Sequence, residues 1–414
     1  MNPAASAAKK KNMKRILQYI VDHEGVTRIN IAQQLDLSVA TVTNNINDLI
    51  GLKLVTAGDK ISGNLGRKAT ILKFEGEGKY IVIVSMHIQS LLITTVDFNG
   101  TVVKQMEEFS IPTGRNAQGE VIRQTFTDII TGYVDGLEGD VRQKIACMAI
   151  AVTGIVSRDK KVYASYYQWY NIPILDELER RYEFPIYCDN ITRYKARQEI
   201  RMIGQDMMNV IYLYVGIGVG CVQFFGGKIV EGINGAGGEI GHVCLDPYAQ
   251  ICHCGNRGCV ERLCGENYVL EDAEKFLEGQ DGCKILKYLV NDMKMPLTIE
   301  TLIKAEELGS AKVHGLFMRT ALYIGKTLAF LYNVMDPDCV ILAGELLELS
   351  DFVYEMAVQE MKTAIVNADA RVIHIERAKT RQADLVGAMC HYAVEYYIKN
   401  LDFTLPVTGD KNGE

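Results

Sequence analysis

Apolar side chains recur at helical spacing through the first fifty residues. Ile16, Leu17, Ile20 and Val21 fall on one face of a first helix, and Ile31, Ala32 and Leu35 mark a second. Val42, Ile46 and Leu49, at i, i+4 and i+7 behind the N-capping Ser38, mark a third, whose other face is Thr41, Thr43, Asn44 and Asn47. Only Asp36-Leu37 separates the second helix from the third. A tight turn between two short helices, followed by a small polar face, is the layout of a helix-turn-helix, whose second helix enters the major groove of DNA. Lys53-Leu54-Val55, the polar turn Ala57-Gly58-Asp59-Lys60 and a return run from Ala69 to Phe74 then predict a hairpin wing with Gly63-Asn64-Leu65-Gly66-Arg67-Lys68 at its tip. The two glycines allow close backbone approach, and Arg67 and Lys68 are placed to reach phosphate or the adjacent minor groove. The candidate DNA contacts are therefore Ser38, Thr41, Thr43, Asn44, Asn47, Arg67 and Lys68. A protein-docking winged helix, or a polar face that is merely solvated, is the alternative.

Glu75-Gly76-Glu77-Gly78 neither continues a period nor offers side chains that pack, which places a domain boundary there. Beyond it, Tyr80 to Val84 and Leu91 to Val96 read as strands, with an Asn99-Gly100 turn into Thr101-Val102-Val103. About 130 residues later the outline returns as Val210 to Val215, Cys221 to Phe225 and a Gly226-Gly227 turn into Lys228-Ile229-Val230. Such a repeat, each copy followed by helical segments, predicts two related α/β lobes with a ligand-binding cleft between them. The expected organisation is a flexible basic tail over residues 1–11, a winged helix-turn-helix over 12–76, a first lobe over 79–190 completed by a C-terminal helix at 384–398, a second lobe over 191–383, and a tail at 401–414.

Composition narrows the class. Of 414 residues, 48% are hydrophobic and 23% charged, as in an ordinary soluble globular protein, which excludes disorder and fibrous repeats. The net charge of −7 is unevenly divided: residues 1–75 hold 11 Lys/Arg against 6 Asp/Glu, and the rest holds 33 against 45. Only the N-terminal segment has the sign that attracts phosphate. No apolar run approaches the ~18 residues of a membrane span. Residues 1–15 offer no apolar core for a signal peptide, so a cytoplasmic protein without membrane contact is expected.

The densest chemistry is Cys252-His253-Cys254-Gly255-Asn256-Arg257-Gly258-Cys259, a C-x-C-x4-C cluster with two glycines that let the backbone fold around an ion. Three thiolates need a fourth ligand. His242, ten residues upstream, would complete a closed tetrahedral Cys3His site of the structural zinc type, with His253 as the competing ligand. A disulfide is the alternative, disfavoured in a reducing compartment; the eight remaining cysteines are expected in the core.

Taken with Gly238-Glu239-Ile240-Gly241-His242 and Glu261 after the last cysteine, this cluster resembles the ROK family of repressors, open reading frames and sugar kinases. Val152-Thr153-Gly154-Ile155-Val156, Trp169 and the run Met335 to Gly344 match as well, so the resemblance extends from about Met13 to about Tyr396. It implies two RNase H-like lobes of actin/hexokinase type, a sugar between them, Zn2+ on His242, Cys252, Cys254 and Cys259, and a homodimer or dimer of dimers. It also places ligand contacts on Glu239, Glu261, His242, Asn190, Thr153 and Gly154. Ionised carboxylates suit that task because each oxygen accepts charge-assisted bonds from sugar hydroxyls.

Departures from the family pattern bear on activity. A family kinase needs an Asp as general base after an Asn; here Cys188-Asp189-Asn190-Ile191 puts either Asn190 or Asp189 at that position, and the spacing to Thr192 favours Asn190, an amide that accepts no proton. The phosphate loop Asp-x-Gly-Gly-Thr aligns with Ser85-Met86-His87-Ile88-Gln89, which has lost both glycines that bring backbone N–H groups to a phosphate. Gly216-Ile217-Gly218-Val219-Gly220 survives, although it serves equally for strand packing, and Ala343-Gly344-Glu345 lacks the family's double glycine. On the sugar side, Tyr166 replaces a hydrogen-bonding Asn. These readings predict a sugar-responsive transcriptional regulator without enzymatic activity, repressor being the expected direction, which reads an inverted-repeat duplex operator as a symmetric oligomer. The alternatives are a sugar kinase carrying a DNA-binding head, and a regulator controlled by a partner protein such as a sugar-transport component.

Overall fold

A computed structural model describes residues 3–23, 25–62, 68–87, 90–111, 119–164, 169–203, 207–278, 283–380 and 384–403. Arg67 with the rest of the wing tip before Lys68, Tyr166, Ile88, Gln89 and residues 404–414 lie outside them.

The head is built from α1 (Pro3–Asp22), α2 (Arg28–Leu35), α3 (Val39–Gly51) and an antiparallel wing of β1 (Val55–Ser62) and β2 (Lys68–Phe74). Thr27 caps α2 reciprocally with Asn30, Ser38 caps α3, and Asp36 ends α2 in the left-handed region at φ 53°, which makes the tight turn. Three expectations need correction. The N-terminal segment is helical from Pro3 rather than a loose tail: proline is tolerated in a first turn, alanines and lysines favour helix, and Lys9 pairs with Asp48 at 2.7 Å and Lys10 with Asp402 at 2.5 Å. Ala57 to Lys60 is no turn but lies inside β1, where the pairing register shifts as in a bulge. Gly76 is buried, with a Cβ there meeting Asn99 Oδ1 at 2.4 Å, so the supposed linker packs.

Consistent with that packing, head and first lobe share one core. Met13, Ile16 and Leu17 of α1 and Ile46 of α3 belong to the same apolar cluster as Ile81, Ile83, Phe98 and Met389. The first lobe holds a sheet in the order β10-β6-β3-β4-β5. Its strands are β3 (Tyr80–Met86), β4 (Ser90–Asp97), β5 (Val102–Ser110), β6 (Ile145–Val152) and β10 (Ile186–Asn190), the first three antiparallel and β3, β6 and β10 parallel. A small sheet of β7 (Ile155–Val156), β8 (Val162–Ala164) and β9 (Trp169–Ile172) leads towards the cleft. Helices α4 (Gly119–Asp135), α5 (Gly139–Arg142) and α6 (Asp176–Arg181) belong to this lobe, and α7 (Ile191–Ile203) leaves it at the end of β10.

The second lobe repeats the plan: β11 (Val210–Val215), β12 (Val219–Phe225) and β13 (Lys228–Ile229) form an antiparallel meander, and β14 (Cys339–Ala343) and β15 (Ile375–Arg377) add parallel strands beyond β11, in the order β13-β12-β11-β14-β15. Both sheets thus have one strand order, the structural form of the repeat seen in the chain. β3, β6 and β14 are buried almost throughout, as strands covered on both faces must be. Around this sheet lie α8 (Val260–Cys264), α9 (Glu266–Glu274), α10 (Lys284–Lys287), α11 (Ile299–Glu307), α12 (Ala311–Met335), α13 (Glu345–Leu349) and α14 (Asp351–Ala364). α12 and α14 come within reach only because of Gly325, where a Cβ would meet Ala357 O at 2.6 Å. The last helix, α15 (Leu385–Asn400), returns to the first lobe and packs on β6, β3, α7 and α1. Among the described residues, no helix is long and apolar enough to cross a membrane.

Candidate functional site

On the head, Ser38 and Thr41 spend their polar atoms on the start of α3: Thr41 N donates to Ser38 Oγ at 3.1 Å, and the two hydroxyls lie 2.8 Å apart. Thr43 is half-buried, whereas Asn44 and Asn47 are exposed. Asn45 between them turns inward and donates to Thr41 O at 2.8 Å. Lys68 opens β2. Periodicity missed Val39, which stands three residues before Val42 and so should be buried with it, yet is 52% exposed in the first turn of α3. An apolar group there has the chemistry to meet a thymine methyl.

In the second lobe, His242 ends a 3-10 turn, Ile240–His242, seated directly on β12. Two glycines make that seat: a Cβ on Gly238 would lie 1.8 Å from Cys221 O, and one on Gly241 would lie 2.2 Å from Val219 O. Cys252, Cys254 and Cys259 approach from the following loop, which turns at Gly255 (φ 91°) and Gly258 (φ 67°). The four ligand atoms of His242, Cys252, Cys254 and Cys259 lie within 4.8 Å of one another. Cys252 Sγ is 3.9 Å from His242 Nδ1, and Cys254 Sγ is 3.7 Å from Cys259 Sγ. Those separations are the edges of a tetrahedron whose centre sits ~2.3 Å from each sulfur. All eleven cysteines are free. Of the eight outside the cluster, Cys188 is half-buried and Cys244 exposed, not core; the other six are buried.

His253 has other engagements. Its Nδ1 lies 3.2 Å from Glu261 Oε1 and 3.2 Å from Tyr268 OH, which leaves His242 the better-directed fourth ligand. Burial pushes both imidazoles down, His253 to about 4, which favours the neutral form that binds metal. The other ring nitrogen of His242, Nε2, faces Glu239 Oε2 at 4.0 Å. One side chain thus touches both the donor cluster and the carboxylate at the cleft.

Between the lobes lies a cavity of about 30 Å³ whose wall includes Gly154, Asn190, Arg193, Gly220, Gly235 and Glu239. Gly154, Asn190 and Glu239 of the expected ligand set meet there; Thr153, His242 and Glu261 stand off that wall. Thr153 Oγ1 donates to Met86 O at 3.3 Å, tying β6 to β3. Glu261 accepts from Val219 N at 2.9 Å and faces His253, so both its oxygens are engaged inside the second lobe. Burial raises that carboxyl to about 7, against the pull of the Val219 N–H. Burial also pushes Glu239 up, opposed by the charge of Arg193.

Asn190 donates from Nδ2 to Gly154 O at 2.6 Å and accepts from Thr192 N at 2.7 Å, so its amide pins the start of α7 to the first lobe. Asp189 is equally committed. Its Oδ1 accepts from Asn190 N at 2.8 Å and Arg193 at 3.1 Å, and its Oδ2 from Arg197 at 3.3 Å. In either register the position of a general base is thus occupied by a group already holding the fold. Arg193 escaped the sequence reading, although its i+4 spacing from Asp189 on a helix following a strand end was a usable signal.

The glycines of the second-lobe loops lie close against the protein's own atoms. A Cβ on Gly216 would lie 2.2 Å from Tyr214 OH, one on Gly218 3.0 Å from Glu261 Oε2, and one on Gly220 3.1 Å from Thr192 Oγ1. Gly344, at φ 134°, lies against Val215, whose carbonyl a Cβ would meet at 1.8 Å. The N-terminus of α13 is capped by the buried Glu266, whose Oε1 accepts from Leu346 N at 3.0 Å. In the first lobe, His87 N donates to Ser90 O at 2.8 Å.

The ROK family model matches residues 91–393. The chain is 25% identical over 386 residues to the DNA-binding transcriptional dual regulator NagC of Escherichia coli (strain K12), covering 92% of this chain and 91% of that protein. It is 25% identical over 362 residues to the xylose repressor of Caldicellulosiruptor bescii, covering 86% and 88%. A crystal structure of a ROK family transcriptional regulator, a homolog of the E. coli MLC protein, superposes with a TM-score of 0.75 at 20% identity over 94% of this chain and 97% of that one. The ROK family glucokinase of Streptomyces griseus, in complex with glucose and AMPPNP, superposes with a TM-score of 0.61 at 21% identity over 75% of this chain and 98% of its own.

Proposed function

The chain belongs to the ROK family, and from that premise we propose that it is a transcriptional repressor responsive to a sugar or sugar derivative, with no kinase activity of its own. The observation that carries this reading is the shared core: the head that presents Asn44 and Asn47 is continuous, through α1 and α15, with the lobe that forms one wall of the cleft. Relatives that it resembles over most of its length include a transcriptional dual regulator and repressors named for N-acetylglucosamine and for xylose. Two heads in a symmetric homo-oligomer, a dimer or dimer of dimers, would read two half-sites one or more turns of DNA apart, roughly 34 Å each, hence an inverted repeat. Effector binding between the lobes changes head spacing only if its affinity differs between the two arrangements.

Zn2+ suits the thiolate-rich donor set of His242, Cys252, Cys254 and Cys259, and would supply structure rather than chemistry there, since four protein ligands leave no open position. His242 would then report the metal loop to Glu239. The engagement of Asp189 and Asn190 in hydrogen bonds within the fold supports the absence of phosphoryl transfer.

Selection of the purified protein on random duplex DNA, repeated with a panel of sugars, tests the proposal. An enriched inverted repeat whose occupancy one sugar alters upholds it. No enrichment at moderate salt would sink it, and sugar-dependent ATP consumption would restore the kinase reading. An operator that responds to no sugar would point instead to control by a partner protein such as a transport component.

A further inference from the structure

Only Cys244 of the eleven cysteines is exposed, and it is not one of the four donors of the candidate metal site. It nevertheless stands directly opposite one of them. Cys244 and Cys259 form an isolated antiparallel bridge, flanked by backbone hydrogen bonds from Leu245 N to Gly258 O and from Val260 N to Val243 O, both 2.9 Å. That pattern makes them a pair with no hydrogen bond between them, in which the Cα atoms are about 4.5 Å apart and both side chains leave by the same face. A disulfide spans Cα atoms about 4.4 to 6.8 Å apart, so the backbone already holds the two residues within its reach. Gly258 allows the approach, since a Cβ there would lie 1.6 Å from Asp246 O. The Sγ of Cys259 lies against the same segment, 3.5 Å from His242 O.

We propose that Cys244 and Cys259 close a disulfide when the protein meets a peroxide, and that this takes a ligand away from the metal site. The loss of metal rests on the reading of Cys259 as a donor given above, whereas the pairing of the two cysteines rests on the bridge alone. Exposure decides which sulfur reacts first: Cys252 and Cys259 are 2% and 0% exposed and Cys254 is half-buried, so the oxidant meets Cys244. The Cys244 sulfur attacks one peroxide oxygen, the O–O bond breaks, and a sulfenic acid forms as the first water leaves. The Cys259 sulfur then attacks that of Cys244, the S–S bond forms, the S–O bond breaks, and the hydroxyl leaves as the second water. Two thiols and one peroxide thus give one disulfide and two waters. Each sulfur surrenders one electron, and the proton comes from its thiol, or from solvent where the sulfur was already ionised. A sulfur so bonded is no longer a thiolate donor, and His242, Cys252 and Cys254 are one ligand short of a closed tetrahedral set.

The test takes the purified full-length protein, loaded with zinc and freed of reductant, and adds hydrogen peroxide in stoichiometric amount. A chromogenic chelator follows released zinc, and peptide mapping by mass spectrometry locates the disulfide. Wild type should release its zinc as a Cys244–Cys259 disulfide accumulates, and a dithiol with added zinc should reverse both changes. Cys244→Ser and Cys244→Ala should each hold zinc like wild type before oxidation, because Cys244 is not a donor, and should then lose it at least tenfold more slowly. Equal rates of loss in wild type and both variants, or a disulfide confined to Cys252, Cys254 and Cys259, overturns the proposal. A wild type that takes up no zinc yet still forms the Cys244–Cys259 disulfide overturns the metal reading and upholds the pairing.

Discussion

His391 on α15 places Nε2 3.2 Å from Oδ1 of Asp22, the last residue of α1, so that the C-terminal helix holds the head by its first helix. The other ring nitrogen lies 3.1 Å from Arg201 near the far end of α7. α7 follows directly on Asn190 and carries Arg193 in the cleft wall, and Arg197, midway along it, stacks 4.4 Å over the Tyr392 ring. Cleft, α7, α15 and α1 are therefore in unbroken contact. His391→Ala is expected to reduce by several-fold the effect of an effector on operator affinity, with effector affinity nearly unchanged. Binding isotherms for operator DNA with and without effector measure this; undiminished coupling would show that the head is steered by another route.

Metal content separates the two candidate histidines. Purified wild-type protein should carry one zinc per chain, and Cys254→Ala or His242→Ala should lose it along with thermal stability and the response to effector. His253→Ala should keep the metal, because its Nδ1 is directed to Glu261 and Tyr268. Elemental analysis of dialysed protein decides between them, and a His253 variant that alone loses zinc would reverse the assignment.

The exposed amides of α3 make a direct prediction. Asn44→Ala and Asn47→Ala should each weaken operator binding by ~1–3 kcal/mol if they read base edges, without altering the salt dependence. Val39→Ala should cost less and relax preference at a thymine. Equal losses on operator and random DNA would show that these side chains meet the backbone instead.

Glu266 predicts a pH signature. Its burial raises the carboxyl from 4.5 to about 7, so between those values the folded chain binds more protons than the unfolded one. Stability then falls as pH rises through this window, by roughly 3 kcal/mol in all from this group. Glu266→Gln keeps an acceptor for Leu346 N and removes the charge, so it should unfold at higher urea than wild type at pH 8 and lose most of that advantage at pH 5. A constant difference across pH would mean that Glu266 stays ionised in the fold.

What was legible in the chain is what neighbouring residues determine together. The stripe of Val42, Ile46 and Leu49 behind Ser38 specified a helix and its buried face, because capping and periodicity act within a few residues. The C-x-C-x4-C spacing brought three thiols together around two glycines for the same reason. The strand-turn repeat announced two like sheets, although only pairing showed that both have one strand order.

The rest depended on partners far away along the chain. The lysines of α1 pair with Asp48 and Asp402, and Asn99 stands over the buried Gly76; none of these partners is visible from the local segment. Glu261 was placed among the ligand contacts by its motif, but β12 and His253 claim its oxygens. Arg193 went unnoticed in its own segment, and its contact across the cleft exists only because the fold brings Gly235 to it. Local sequence determines what a residue is able to do, through propensity, spacing and charge. Which of its hydrogen bonds are left for a ligand is settled only when the fold has used the others.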